Sequence, residues 1–304
     1  MHPGTDEKKG CCADDGFVKC PSTWRFAPSR PLRARVQAMS RRVMKTLTAT
    51  AVAALALAGC ATDTETTQTE SGANIVKEGN LTVCTHLPYE PFQYKEGGEI
   101  VGFDVDLMDL VAKDLGLKQS IVNTPFETIE TGQAMNTGKC DIAAAGMTIT
   151  EERAEVMDFS DPYFDATQAL LVTKGAGYDS LDALSGKTLG VQIGTTGEQY
   201  AEDNAPEDVE LKVFEDLALL TTAVKSGSID AGINDNSVLY DYVDQNPDTE
   251  VSTEFDTGEQ YGFAVAKDKN DELLKSVNDV LASAKDDGTY DELFKKYFPN
   301  APAS

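Results

Sequence analysis

Few side chains in this 304-residue sequence could do covalent chemistry, and their company limits which chemistry is open. The chain has two histidines; His86 lies in its body, with Glu90 close behind it and Asp235 far downstream. Any of these three could serve as an acid or base if its surroundings tuned its pKa. No Ser-His-Asp order, metal cluster or cofactor loop accompanies them, so neither a metal nor a cofactor is expected and an enzyme is disfavoured. Gly194-Thr195-Thr196-Gly197 lacks the lysine of a nucleotide loop. What remains is noncovalent recognition. The Arg153 guanidinium offers two parallel donors to a pair of oxygens. Thr195 and Thr196 stand where a glycine turn enters a helix, and the unpaired N–H groups there favour an anion. Taken alone, Arg153 still reads as a solvated helix residue and Asp235 as a turn residue.

These residues need elements to carry them. A short core strand over 81–85 runs into a loop marked by Pro88 and Pro91. A helix follows, with Asp104 as its expected cap, Leu107, Met108, Val111, Ala112 and Leu115 as its apolar stripe, and Gly116 as its stop. A second strand over 120–122, then Phe126 and another helix ending near Gly138, complete an alternation typical of a parallel sheet covered by helices. A weak repeat relates 134–146 (AMNTGKCDIAAAG) to 223–235 (AVKSGSIDAGIND), which points to two related lobes. An interior strand over 169–173 precedes Gly175 and Gly177, where a new unit is expected to begin, and 261–265 reads as a second crossing. Leu273, Leu274, Val277, Val280, Leu281 and Ala284 form a helical stripe, and Thr289 with Glu292 suggests a capping box. These last helices are expected to pack back on the first lobe.

With 51 acidic against 26 basic side chains, a formal charge of -25, the chain has no basic track for nucleic acid. Only the amino-terminal stretch is basic. Ser40-Arg41-Arg42-Val43-Met44-Lys45 is followed by a dozen small or apolar residues over 47–58 and then by Leu57-Ala58-Gly59-Cys60. That order resembles a bacterial lipoprotein signal. The resemblance implies diacylglycerol on the Cys60 thiol, cleavage before Cys60 and acylation of the new terminus, which would anchor the protein on the extracytoplasmic face of the cell membrane. Residues 39–59 are then the signal and 60–75 a flexible tether. Residues 1–38, with Cys11, Cys12 and Cys20, read as an extension upstream of a start at Met39 or Met44. Residues 1–59 hold 4 acidic and 10 basic side chains, so the remaining 245 carry 47 and 16, a formal charge of -31. Two cysteines stay in the exported body. A disulfide between Cys84 and Cys140 is expected, with two separate buried thiols as the alternative.

Five segments in order then carry a family resemblance: Pro88-Tyr89-Glu90-Pro91-Phe92, Gly102-Phe103-Asp104-Val105-Asp106-Leu107, Gly146-Met147-Thr148-Ile149-Thr150-Glu151-Glu152-Arg153, Phe159-Ser160-Asp161-Pro162-Tyr163 and Asp287-Gly288-Thr289-Tyr290. Over about 76–298 the chain resembles the extracellular solute-binding proteins of polar amino-acid ABC transporters. The resemblance implies a periplasmic-binding-protein-like type II fold, two α/β lobes joined by two crossing strands, with lobe 1 over 76–173 plus 263–300 and lobe 2 over 174–262. It also implies a cleft for a free amino acid. Arg153 would hold the ligand carboxylate, helped by Thr148, Thr195 and Thr196; Asp235 would hold the ammonium, helped by the Gly146 carbonyl and the Thr148 hydroxyl. Tyr89 and Phe126 would enclose the ligand side chain, with His86, Glu90 and Gln192 beside it, and Phe103 would pack.

Several family members that take lysine, arginine, histidine or glutamine carry an aspartate where this chain has His86. A histidine supplies no fixed negative charge, which argues modestly against lysine or arginine. Glutamine, glutamate or asparagine is the expected ligand, delivered by a monomer to a permease with its ATPase subunit. An amino-acid sensor at the surface and, less favoured, an exported dehydratase of the same fold are the alternatives.

Overall fold

The computed structural model describes residues 66–300. The expected extension, signal and lipidation site at Cys60 lie outside the described residues, as does the first part of the tether. In chain order the elements are β1 (Thr67–Gln68), β2 (Asn74–Ile75), β3 (Asn80–Thr85), β4 (Tyr94–Glu96), β5 (Glu99–Val101), α1 (Phe103–Asp114) and β6 (Lys118–Asn123). Then come α2 (Phe126–Glu130), α3 (Gln133–Asn136), β7 (Ile142–Ala143), α4 (Glu151–Val156), β8 (Met157–Phe159) and β9 (Phe164–Thr173). The chain continues through β10 (Thr188–Gln192), α5 (Thr196–Asn204), β11 (Glu210–Phe214), α6 (Leu217–Lys225), β12 (Ala231–Asp235), α7 (Asn236–Gln245) and β13 (Thr249–Tyr261). It ends with β14 (Ala264–Ala266), α8 (Asp271–Asp287) and α9 (Thr289–Tyr297).

Two five-stranded sheets result, ordered β6-β3-β7-β14-β8 and β11-β10-β12-β9-β13. In each, three strands linked through helices run parallel, and two strands from the crossings add antiparallel. The two sheets share one topology, and the repeated sequences supply the third strand of each, β7 and β12. Each repeat ends at a parallel strand's carboxyl end, where open α/β sheets place their ligands. That puts Gly146 and Asp235 at corresponding places in the two lobes.

The lobe boundary differs from the expectation. Residues 164–173 do not close lobe 1; β9 pairs with both β12 and β13 inside the second sheet. The apolar run over 169–172 looks the same in either sheet, and only its partners decide. Lobe 2 therefore spans 164–261, and the crossings are the short segments on either side of it. There the Ser160 N–H donates to the Phe263 carbonyl at 2.8 Å and the Tyr163 N–H to the Tyr261 carbonyl at 3.0 Å.

Residues 66–75 also depart from a tether. β1 and β2 form a hairpin, Ala73 and Ile75 are buried, and Asn74 exchanges hydrogen bonds with Asn270 at 3.0 and 2.8 Å. Two apolar side chains in a polar stretch suffice to seat it on lobe 1. α8 buries Leu273, Val277, Leu281 and Ala284, and together with α9 it packs on α1 of lobe 1. α9 is preceded by Gly288 in a left-handed conformation, and no Thr289 side-chain cap forms. Cys84 and Cys140 are bonded, with their Cα atoms 5.7 Å apart. The bond ties β3 to the turn leading into β7, beneath the cleft.

Candidate ligand-binding cleft

Where the lobes face each other, His86, Tyr89, Gln93, Phe126, Ala145, Gly146, Thr148 and Arg153 come from lobe 1, and Gln192, Thr195, Thr196 and Asp235 from lobe 2. Of the residues expected there, all but Glu90 line this cleft. The free space between them is about 20 Å³, room for roughly one or two waters. An amino acid enters only if the lobes part.

Arg153 is held by α4, whose first turn is capped by the Thr150 hydroxyl accepting from the Arg153 N–H at 3.1 Å. Its side chain turns inward and is 6% exposed. One terminal nitrogen donates to the Thr148 carbonyl at 2.8 Å and the other to the Gly194 carbonyl at 2.9 Å, so the guanidinium touches both lobes. Its carbon lies 5.4 Å from the centre of the Phe126 ring. Phe126 thus supports the guanidinium as well as walling the cleft. Burial pushes the Arg153 pKa down, and the charges of Glu130, Asp235 and Glu259 oppose that shift. Two carbonyl contacts leave further guanidinium N–H donors for a carboxylate.

Asp235 ends β12 and precedes α7, yet it caps nothing with its side chain. It is buried and accepts from the Tyr89 hydroxyl at 2.6 Å, from the Tyr261 hydroxyl and from the Gln168 amide. Burial pushes its pKa up to about 6; Glu259 adds to the rise, and the Tyr261, Tyr89 and Gln168 hydrogen bonds oppose it. Tyr89 reaches it from lobe 1, so the two lobes meet at this carboxylate. An ammonium group would replace the Tyr89 hydroxyl with a stronger, charged donor.

Gly146 adopts φ +56°, and a Cβ there would lie 2.8 Å from Tyr89 Cε1. Only glycine lets the 144–148 loop pass beneath the ring that closes on Asp235. The Gly146 N–H donates at 2.9 Å to Asp104, and the Tyr163 hydroxyl donates to the other oxygen of that carboxylate at 2.7 Å. Asp104 therefore does not cap α1 as expected. It is fully buried, its pKa is pushed up to about 7 by that burial, and it ties the cleft loop to the crossing.

Two expected residues do other work. Glu90 faces Asp241 and Gln245 on α7, where burial and the Asp241 charge raise its pKa, and it is absent from the cleft lining. The Thr195 hydroxyl donates to the Gln192 carbonyl at 2.7 Å and accepts the Glu198 N–H at 3.1 Å. Thr195 is the cap of α5, and its hydroxyl has no proton left for a ligand. The next N–H groups, of Thr196 and Gly197, are first-turn donors without an intrahelical acceptor. Gln93, Gln168, Asn234, Tyr261 and Glu259 were not anticipated from sequence. Gln168 and Glu259 come together only because β9 and β13 pair. The Tyr261-Gly262-Phe263 crossing was the nearest signal.

Residues 81–300 match the bacterial extracellular solute-binding proteins, family 3. The chain belongs to that family. This solute-binding protein is 41% identical over 209 residues to the ABC transporter glutamine-binding protein GlnH of Bacillus subtilis (strain 168), covering 68% of this chain and 76% of the relative. It is 34% identical over 232 residues to the arginine-binding extracellular protein ArtP of the same strain, covering 76% and 90%. Among solved structures, an ancestral arginine-binding protein bound to glutamine superposes with a TM-score of 0.69 at 42% identity, covering 73% of this chain and 99% of that one. The bilobal fold is thus that of the type II binding proteins.

Proposed function

We propose that this solute-binding protein captures a free amino acid with a side-chain amide, glutamine first and asparagine second, and delivers it to an ABC permease whose ATPase subunit drives import. The observation that carries the reading is the meeting of Arg153 and Asp235, from opposite lobes, across one cleft. A zwitterion between them satisfies a cation on lobe 1 and an anion on lobe 2, so each contact favours the closed form. In this reading Cys60 carries the lipid that keeps the protein beside its permease.

The side-chain end of the cleft supports the amide. His86 Nδ1 lies 3.0 Å from the Thr124 carbonyl, which only accepts, so Nδ1 bears a proton, and in the neutral tautomer that this contact selects Nε2 is an acceptor. His86 Nε2 and Gln93 Oε1 are both buried without a hydrogen-bond partner. A carboxamide N–H2 supplies the donors these two atoms lack. A glutamate side chain offers only acceptors and would leave both unmet. Arginine could donate, but Glu90, expected beside the ligand side chain and the carboxylate there that could balance such a charge, faces α7 instead.

Thermal-shift titration of the purified protein with each of the twenty amino acids tests this. Glutamine is expected to raise the melting temperature most, asparagine next, and glutamate and arginine little. No shift with any amino acid, or the largest shift with arginine, contradicts it.

A further inference from the structure

Glu259 sits on β13 opposite Ala166 of β9, just past the irregularity in that pairing. One carboxylate oxygen accepts from the Thr148 hydroxyl and from the Thr196 hydroxyl, each at 2.7 Å. The other accepts from the Gln168 amide at 3.0 Å and the Thr257 hydroxyl at 2.9 Å. Four donors fill a carboxylate's capacity. Thr148 belongs to lobe 1 and Thr196 to lobe 2, so this one group joins the two.

A hydroxyl has one proton. With that proton given to Glu259, Thr148 and Thr196 present only lone pairs to the cleft. Gln168 Nε2 also lies 3.3 Å from Thr196 Oγ1, but its two protons go to the nearer Asp235 and Glu259 oxygens. Gln168 also donates to Asp235, so its amide links the two carboxylates. We infer that Glu259 is a positioning residue that turns both threonine hydroxyls into acceptors and thereby makes this end of the cleft demand a donor-bearing amine. The threonine side chains then serve the ammonium. The ligand carboxylate is left to Arg153 and to first-turn N–H groups of α5, so the help expected from Thr196 comes through its backbone N–H and not its hydroxyl.

This inference rests on the amino-acid reading above. Its measure is selectivity for the amine: the affinity for glutamine divided by that for its 2-hydroxy analogue, which lacks only the ammonium. Calorimetry on the parent, Glu259→Gln and Glu259→Asp gives the three ratios. The glutamine side chain keeps the shape but replaces one acceptor oxygen with an N–H2 donor, so it can no longer accept from all four donors, and with the N–H2 toward Thr148 and Thr196 their protons turn to the cleft. In Glu259→Gln the ratio should fall about fivefold or more, with Glu259→Asp recovering part of it. A purely structural brace would weaken both ligands alike. An unchanged ratio in Glu259→Gln overturns the role of Glu259 while leaving the amino-acid reading intact. A parent that binds neither ligand overturns both. If Glu259→Gln does not fold, Thr196→Val removes one of the two acceptors and should lower the same ratio; an unchanged ratio there overturns the inference equally.

Discussion

Asp235 works in surroundings that oppose its charge. Buried beside Glu259, with a pKa pushed up to about 6, it holds its proton at a pH where an exposed aspartate has lost it. The sign of the consequence follows. The folded protein binds a proton that the unfolded chain releases above its ordinary 3.8, so this group's contribution to stability is full below that value and lost as pH rises through about 6. Binding runs the other way, because an ammonium needs the carboxylate ionised. Affinity for glutamine should be level above about 7 and weaken by up to tenfold for each pH unit below about 6. Calorimetry across that range checks it, and a pH-independent affinity would remove Asp235 from the ammonium site. The place of Arg153 and Asp235 in the cleft could be read from the family resemblance, though not from the two residues taken alone. Glu259 could not, because its partners, Thr148, Gln168 and Thr196, come from three separate segments. Nor could the duty of Thr195, since the same hydroxyl serves equally as a cap or a ligand contact, and only the formed helix chooses.

At the scale of elements, the cleft depends on how closely the 144–148 loop passes under Tyr89. Gly146→Ala places a methyl 2.8 Å from that ring at a positive φ. The variant should lose about 1–3 kcal/mol of stability and bind glutamine at least about tenfold more weakly, since Tyr89 must leave Asp235. Thermal melting and calorimetry measure both, and a variant with parental values of each would show that the loop tolerates the shift. The strand and helix order was legible here because periodicity marks single elements well. The β7 and β12 repeat even located the ends of the two central strands. Sheet membership was not legible for 164–173, because an interior strand carries the same apolar signature in either lobe. Asp104 misled for a related reason: a helix-start aspartate normally caps, whereas this one is buried against Gly146 and Tyr163.

For the whole molecule, the proposed function makes closure of the lobes the working step. Lobes of shared topology, joined by paired crossings, bring unlike charges to opposite sides of a gap. Tyr89 and Arg153 already reach from lobe 1 to Asp235 and the Gly194 carbonyl of lobe 2. A ligand that bonds to both lobes shifts their equilibrium by the difference between its contacts in the open and closed forms. Residues 60–304, with 47 acidic and 16 basic side chains, disfavour nonspecific attachment to anionic lipid. The most direct test is a crystal structure grown with glutamine. The α-carboxylate should lie on Arg153, the ammonium within hydrogen-bond distance of Asp235 and the Thr148 hydroxyl, and the side-chain amide nitrogen toward His86 Nε2. Glutamine bound with its ammonium facing Arg153, or seated away from the interlobe gap, would contradict the account.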